Sequence, residues 1–160
     1  MANHDSDITR HTASTQPMQT PTRLLIAGGA VLFIVSLLNG FAIHSMRIER
    51  LGLSAHLLGL MASTLLLALG GIWDRLNLSR RLAMIGAALA LYGFIGGWAV
   101  YFFAAASGAG AMFPLLSGGV TGSAAVEAVV TVGMLTMAIA LFGLGGVVLR
   151  GALHRPSPRE

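Results

Sequence analysis

Two side chains that could carry out acid–base chemistry lie inside long apolar stretches. His56 stands in Ser54-Ala55-His56-Leu57-Leu58-Gly59, and Glu127 is the only carboxylate within any hydrophobic stretch. An ionisable group in a membrane segment costs roughly 2.5–3.5 kcal/mol at the helix centre and less near an end, so it usually has a partner or a function. A histidine and a carboxylate in contact can donate and recover one proton near neutral pH, as general acid–base catalysis requires. Whether the two residues meet depends on the helices that carry them.

The composition indicates an integral membrane protein. Of 160 residues, 55% are hydrophobic and only 10% are charged, with a mean hydropathy of +0.77, whereas soluble domains carry roughly 25% charged residues. The net charge of +4 comes from arginine, and no basic patch interleaved with aromatic residues suggests a nucleic-acid partner. The absence of cysteine excludes disulfides and thiol chemistry.

Four apolar stretches are each long enough to cross a bilayer, which requires roughly 20 residues. The short turns between the first three predict antiparallel neighbours, and therefore an all-α, four-helix up-down bundle. Ser79 is a candidate N-cap for the third helix. We expect a disordered polar tail at 1–22, a transmembrane domain at 23–150 with helices at about 24–45, 51–73, 82–106 and 124–149, and a short basic tail at 151–160.

Arginine placement predicts the orientation. Eight arginines fall on the side of both termini (Arg10, Arg23, Arg75, Arg80, Arg81, Arg150, Arg155 and Arg159), and Arg47 and Arg50 fall on the other side. The positive-inside rule then places both termini in the cytoplasm. The expected location is the bacterial inner membrane, as a multi-pass protein.

This topology brings polar residues to similar depths in the outer third of the bundle: Asn39, His44, His56, Trp98, Tyr101 and Glu127. Each has a plainer interpretation. Glu127 could complement the helix dipole, Trp98 and Tyr101 could belong to an interfacial aromatic belt, His44 could be a rim residue, and His56 could make a structural hydrogen bond. With no cysteine and few acids, a metal site is not expected, and His44 lies too near the rim to join His56 in holding haem.

Two further features could mediate contacts. Residues 107–123 carry no charge but keep several apolar side chains, so they could form a lid over the bundle end or a plain interfacial loop. The third helix aligns Gly86, Ala90, Gly93 and Gly97 on one face. Small residues allow close backbone approach in lipid, which favours packing within the bundle over a homo-oligomer contact.

Taken together, the motifs resemble the hydroxylaminobenzene mutase family of small membrane isomerases. The resemblance covers about residues 51–149 and depends on Leu53-Ser54-Ala55-His56-Leu57 with Gly59, Ala68-Leu69-Gly70 with Trp73, Leu91-Tyr92-Gly93 with Trp98, Gly108-Ala109-Gly110-Ala111-Met112 with Pro114, and Gly122 with Glu127. The chain departs from the family pattern at Leu58, where the family has glutamate, and at Ala62 and Gly97, where it has asparagine.

The resemblance implies conversion of an aryl hydroxylamine to an ortho-aminophenol. It implies catalytic roles for His56 and Glu127 and pocket roles for Tyr92 and Trp98, and the depth argument adds Tyr101 and Asn39 to the pocket. The expected partners are the lipid bilayer and a small apolar aromatic substrate, and no cofactor is expected because substrate and product are isomers. The alternative is a non-catalytic membrane subunit or binding protein of the same fold.

Overall fold

The computed structural model describes residues 20–153, and these are almost entirely helical, with 86% helix and no strand among them. The helices are α1 Thr20–Ala42, α2 Glu49–Ile72, α3 Arg80–Ser107, the single turn α4 Pro114–Ser117, and α5 Ala124–Leu153. Short 3-10 turns at Ile43–Ser45 and Trp73–Arg75 extend α1 and α2. The predicted tails lie mostly outside the described residues, except that residues 20–22 begin α1 and residues 151–153 end α5.

Four of these helices are long and apolar enough to cross a membrane. At 1.5 Å per residue they measure about 35–45 Å, more than the roughly 30 Å of a bilayer hydrocarbon core. Large apolar side chains on their outer surfaces are exposed, such as Phe41 at 88% and Phe142 at 83%. The predicted fold class, an all-α membrane protein with four transmembrane helices, is confirmed. Which side of the membrane holds the termini stays a prediction.

The helices pack as a layered group in which α3 is central. Helix α2 packs against α1 and α3, α3 also contacts α1, and α5 packs chiefly against α3. The α3–α5 contact uses the predicted small-residue face, because a Cβ added to Gly93 would lie 2.6 Å from Leu141 and one added to Gly97 would lie 2.7 Å from Met137. This face is therefore used within the chain, as close packing of membrane helices requires.

The arginine-rich end of the bundle is held by polar bonds between segments. The Thr22 hydroxyl donates to the Asp74 carboxylate at 2.6 Å, which ties the start of α1 to the end of α2. Trp73 beside it is only 2% exposed and belongs to the main apolar core. At the start of α3, the Ser79 hydroxyl accepts a hydrogen bond from the Leu82 amide, which confirms the predicted N-cap.

The opposite end is covered by the segment that joins α3 to α5. Helix α3 ends at Gly108, whose positive φ of 80° suits a residue without a side chain. Phe113 then packs into a second apolar cluster with Met46, Leu51 and Val130. The segment is therefore packed against the ends of the long helices.

Candidate functional site

His56 projects from α2 onto α1. Its Nδ1 lies 2.7 Å from the backbone carbonyl oxygen of Ser36. A carbonyl can only accept, so Nδ1 carries the proton and, in the neutral ring, Nε2 is left with a free lone pair. No hydrogen bond to Nε2 is present within residues 20–153. The ring also packs against Gly40, where an added Cβ would lie 3.0 Å from Cε1. His56 is thus oriented by α1 with one nitrogen available for proton transfer.

Helices α1, α2 and α3 meet at Gly59. A Cβ at this position would overlap the Ser36 side chain and would lie 2.6 Å from Cδ1 of Trp98. Glycine therefore brings the serine of α1 and the indole edge of α3 onto the backbone of α2. Because Gly59 is one turn beyond His56, this junction and the imidazole occupy neighbouring levels of the bundle.

The same region contains buried polar atoms that have no hydrogen-bond partner in the described structure. They are Oγ of Ser36, both amide atoms of Asn39 and Nε1 of Trp98. Ser36 is 0% exposed and Asn39 is 3% exposed. Buried polar groups in folded proteins are nearly always paired, because an unpaired donor or acceptor costs about 1–3 kcal/mol. Such a concentration of unpaired atoms is typical of a site that binds something polar.

A cavity of about 210 Å³ adjoins these residues, between α1 and α3. Asn39 and Trp98 line it together with Val35, Leu38, Ala42 and Phe102. The rings of Trp98 and Phe102 are stacked with centroids 5.4 Å apart. A dry cavity of about 150 Å³ is known to bind benzene, so this cavity has room for one aromatic ring and a small polar substituent. His56 does not line it, but Gly40, on which the ring packs, is the residue after Asn39.

Glu127 has a different environment. Its carboxylate accepts hydrogen bonds from the backbone N–H of Gly122 at 2.8 Å and from that of Ala111 at 3.2 and 3.3 Å. No hydrogen bond or ion pair joins it to His56 within the described residues. Glu127 therefore fastens the 108–122 segment to the start of α5, and the open question of whether it meets His56 is answered by the absence of a direct bond between them in the described residues.

The other predicted residues fall in three places. The Tyr101 ring packs against Phe113 with centroids 4.7 Å apart, which places it in the cluster under the 108–122 segment. Tyr92 is 52% exposed, and its hydroxyl lies 2.7 Å from that of Thr136 across the α3–α5 contact. His44 is at the surface, 3.6 Å from Glu49. Of the predicted pocket residues, only Asn39 and Trp98 line the cavity near His56.

The three positions at which the chain departs from the mutase pattern come together in space. Leu58, Ala62 and Gly97 all line a second cavity, of about 120 Å³, between α2, α3 and α5. The other lining residues are apolar as well: Met61, Leu65, Gly93, Phe94, Met137 and Leu141. In this chain the second cavity offers a ligand no hydrogen-bonding side chain.

Within residues 20–153 no three histidine or carboxylate side chains lie close enough to hold a metal together. In the candidate site, Nε2 of His56 is the one unpaired imidazole nitrogen.

Four apolar spans and a buried, partly unpaired polar cluster define a multi-pass membrane protein with a candidate site between its helices. The sequence comparisons give the family: the model of the styrene oxide isomerase family matches residues 21–153, and the chain belongs to that family. It is 34% identical over 155 residues to hydroxylaminobenzene mutase HabB of Ectopseudomonas oleovorans, covering 96% of this chain and 93% of the relative. It is 31% identical over 131 residues to hydroxylaminobenzene mutase HabA of the same organism, covering 81% and 97%. No solved structure matches it.

These matches confirm the predicted resemblance and support a membrane protein of isomerase type. Sequence reasoning missed Ser36, which supplies both the carbonyl that orients His56 and an unpaired hydroxyl. On α1, Ser36 precedes Gly40 by one turn. On α2, His56 precedes Gly59 by nearly one turn. That pairing of a polar residue with a glycine on two adjacent helices is the signal that could have pointed to this contact.

Proposed function

We propose that this protein is a membrane-embedded isomerase that converts an aryl hydroxylamine to an ortho-aminophenol by intramolecular hydroxyl transfer. The observation that carries the proposal is the unpaired amide of Asn39 beside a cavity walled by Trp98 and Phe102. The family and the two mutase relatives support an isomerase, and the cavity supports this class of substrate.

The argument from Asn39 concerns the number and type of hydrogen bonds. A side-chain amide has donors on nitrogen and an acceptor oxygen, and in Asn39 both atoms lack partners. An N-hydroxy group on an aromatic ring offers a donor and an acceptor on adjacent atoms, so it can satisfy both ends of the amide. A ligand that only accepts would leave Oδ1 of Asn39 buried and unpaired, at a cost of about 1–3 kcal/mol. The amide therefore favours N–OH over a plain ether oxygen.

The reaction needs a proton to be given and then returned. A proton on the hydroxylamine oxygen lets the N–O bond break, with the bonding electrons leaving on oxygen as water and positive charge left on the ring and nitrogen. The water oxygen then bonds to the ortho carbon. That oxygen then loses one proton, the ortho carbon loses its ring proton, and the nitrogen gains one proton, which gives the aminophenol. The net release of one proton returns the proton taken up at the start. Apolar walls such as Val35 and Leu38 keep the cation from bulk water.

We assign the proton transfer to Nε2 of His56, because Nδ1 is committed to the Ser36 carbonyl. The imidazolium form would give the proton from Nε2, and the neutral ring would take a proton back at the same nitrogen. The N–OH group would lie at the Asn39 end of the cavity, beside the stretch of α1 on which the imidazole packs. Glu127 would contribute through the 108–122 segment that it holds, as a positioning residue. Tyr92 and Tyr101 would act at a distance, through the α3–α5 contact and the end cluster respectively.

The test measures turnover and binding separately. Membranes carrying the protein are supplied with hydroxylaminobenzene, and 2-aminophenol is quantified for the original chain, His56→Ala and Asn39→Leu. Binding is followed by tryptophan fluorescence in a Trp73→Phe background, which leaves Trp98 as the only indole. We expect His56→Ala to bind without turnover and Asn39→Leu to lose both. Full activity in His56→Ala would refute its role.

A second candidate reaction is isomerisation of an aryl epoxide, which the match to the styrene oxide isomerase family favours. The same membranes are therefore also tested with styrene oxide. Product from styrene oxide alone would overturn the argument from the Asn39 amide. Ligand binding to Trp98 with no product from either compound would support the alternative, a non-catalytic binding protein.

A further inference from the structure

A third cavity lies at the arginine-rich end of the molecule, far along α3 from the candidate active site. It measures about 310 Å³ and is lined by Ser79, Arg81, Leu82, Ile85 and Arg150. Arg81 belongs to the first turn of α3 and Arg150 to the last turns of α5. Two antiparallel helices thus bring one guanidinium each to a single cavity.

The positive charge in this cavity is not neutralised by the protein. Neither Arg81 nor Arg150 forms an ion pair within residues 20–153. The one described carboxylate at this end is Asp74, which accepts a hydrogen bond from Thr22 of α1 and does not line the cavity. Arginine is suited to phosphate because its planar group presents several donors at once. The cavity therefore attracts an anion, and a phosphate group above all.

Below the two arginines, the facing positions of α3 and α5 are apolar residues or glycines. Ile85 and Leu89 follow Leu82 at helical spacing on α3, while Gly146 and Gly143 precede Arg150 at the same spacing on α5. Gly143 packs against Leu89, where an added Cβ would lie 3.3 Å from it. Gly146 has no side-chain or backbone neighbour within 4 Å of an added Cβ and is exposed. An apolar strip that is open at Gly146, here called the groove, therefore leads from the charged cavity toward the middle of the bilayer.

We propose that this cavity and groove bind an anionic phospholipid, with its phosphate between Arg81 and Arg150 and an acyl chain over Gly146. Basic pockets between membrane helices are known binding sites for anionic headgroups. A free phosphate could use the two arginines, but only a lipid would also fill the groove. The site is separate from the proposed isomerase site and does not depend on that reaction.

The first experiment tests the charge. The full-length protein, purified in a neutral detergent, is incubated with phosphatidylglycerol or phosphatidylcholine, and bound lipid is counted by native mass spectrometry. We expect phosphatidylglycerol to be retained preferentially, and Arg81→Gln and Arg150→Gln each to lower its affinity about fivefold, as for loss of one cation near a membrane surface. Arg23→Gln, which removes an arginine at the same end but outside the cavity, is the matched control. An equal loss in the control would show general surface attraction and overturn the proposal.

The second experiment tests the groove without altering any charge. Gly146→Leu would fill the groove, whereas Gly71→Leu places the same side chain at another open glycine, on α2. We expect Gly146→Leu to lower phosphatidylglycerol retention severalfold and Gly71→Leu to leave it unchanged. Inorganic phosphate serves as the headgroup probe. We expect it to compete only weakly with bound lipid, and this weak competition should persist in Gly146→Leu. Undiminished lipid retention in Gly146→Leu, or phosphate competing as well as lipid, would refute a lipid site.

Discussion

Replacing Asn39 by leucine should make the ligand-free protein more stable while it abolishes ligand binding. Leucine has the same number of side-chain heavy atoms and the same branching as asparagine, so the change opens no cavity. It removes two buried amide atoms that have no partner in the described structure. Each such atom costs about 1–3 kcal/mol, although in membranes part of this is offset in the unfolded reference state. A net gain of about 1–3 kcal/mol is expected, which raises the unfolding temperature by about 3–10 °C.

The assay is thermal unfolding of the purified protein in detergent, with and without hydroxylaminobenzene. The ligand should stabilise the original chain, because it binds only the folded state, and should not affect Asn39→Leu. Two serines that are both 0% exposed provide a matched control: the Ser36 hydroxyl is unpaired, whereas that of Ser63 bonds the Leu60 carbonyl at 2.7 Å. Ser36→Ala should be neutral or stabilising and Ser63→Ala mildly destabilising. A lower unfolding temperature for Asn39→Leu would refute the reasoning, since the amide would then have a partner in the folded protein.

Three further substitutions test how the site is held. Gly40→Ala adds a Cβ 3.0 Å from the His56 ring, so we expect aminophenol formation to fall while the unfolding temperature changes little; unchanged turnover would contradict the assigned ring position. Gly59→Ala pushes α1 and α3 away from α2, which should lower the free energy of unfolding by about 1–3 kcal/mol. An unaltered midpoint of denaturant unfolding would show that the helices pack less closely at this junction than the structure indicates. Glu127→Ala leaves two loop N–H groups without their acceptor, so hydrogen exchange in the 108–122 segment should accelerate there and not in α2.

The number and type of the elements followed from the sequence because a bilayer imposes a minimum length. An apolar run of roughly 20 residues has few alternatives to a spanning helix. The helix ends were less predictable: α2 begins at Glu49 and α3 at Arg80, each before its apolar run, because charged residues can occupy the first turn at the membrane surface. Ser79 was the exception, since an N-cap is encoded by one residue type at one position.

The partners of the predicted site residues depended on backbone atoms that composition does not reveal. His56 bonds a carbonyl of α1, and Glu127 bonds amides of Ala111 and Gly122. Depth along the helix axis was enough to place Asn39 and Trp98 at one level. It could not show on which face of its helix each side chain lies. Tyr92 lies on the face of α3 that contacts α5, away from His56.

The two cavities beside α3 differ in polarity, which supports the proposed polar site on its α1 side. Leu58, Ala62 and Gly97 make the cavity between α2, α3 and α5 wholly apolar, so it can select a ligand by shape but cannot orient an N–OH group. The unpaired amide of Asn39, the Ser36 hydroxyl and the Trp98 N–H are all at or beside the α1–α3 cavity. Buried polar atoms without partners are costly, and a bound ligand is one way to offset that cost. In the proposed function, a polar ligand oriented by Asn39 and served by His56 would provide that compensation at the place in the described structure where most of these atoms gather.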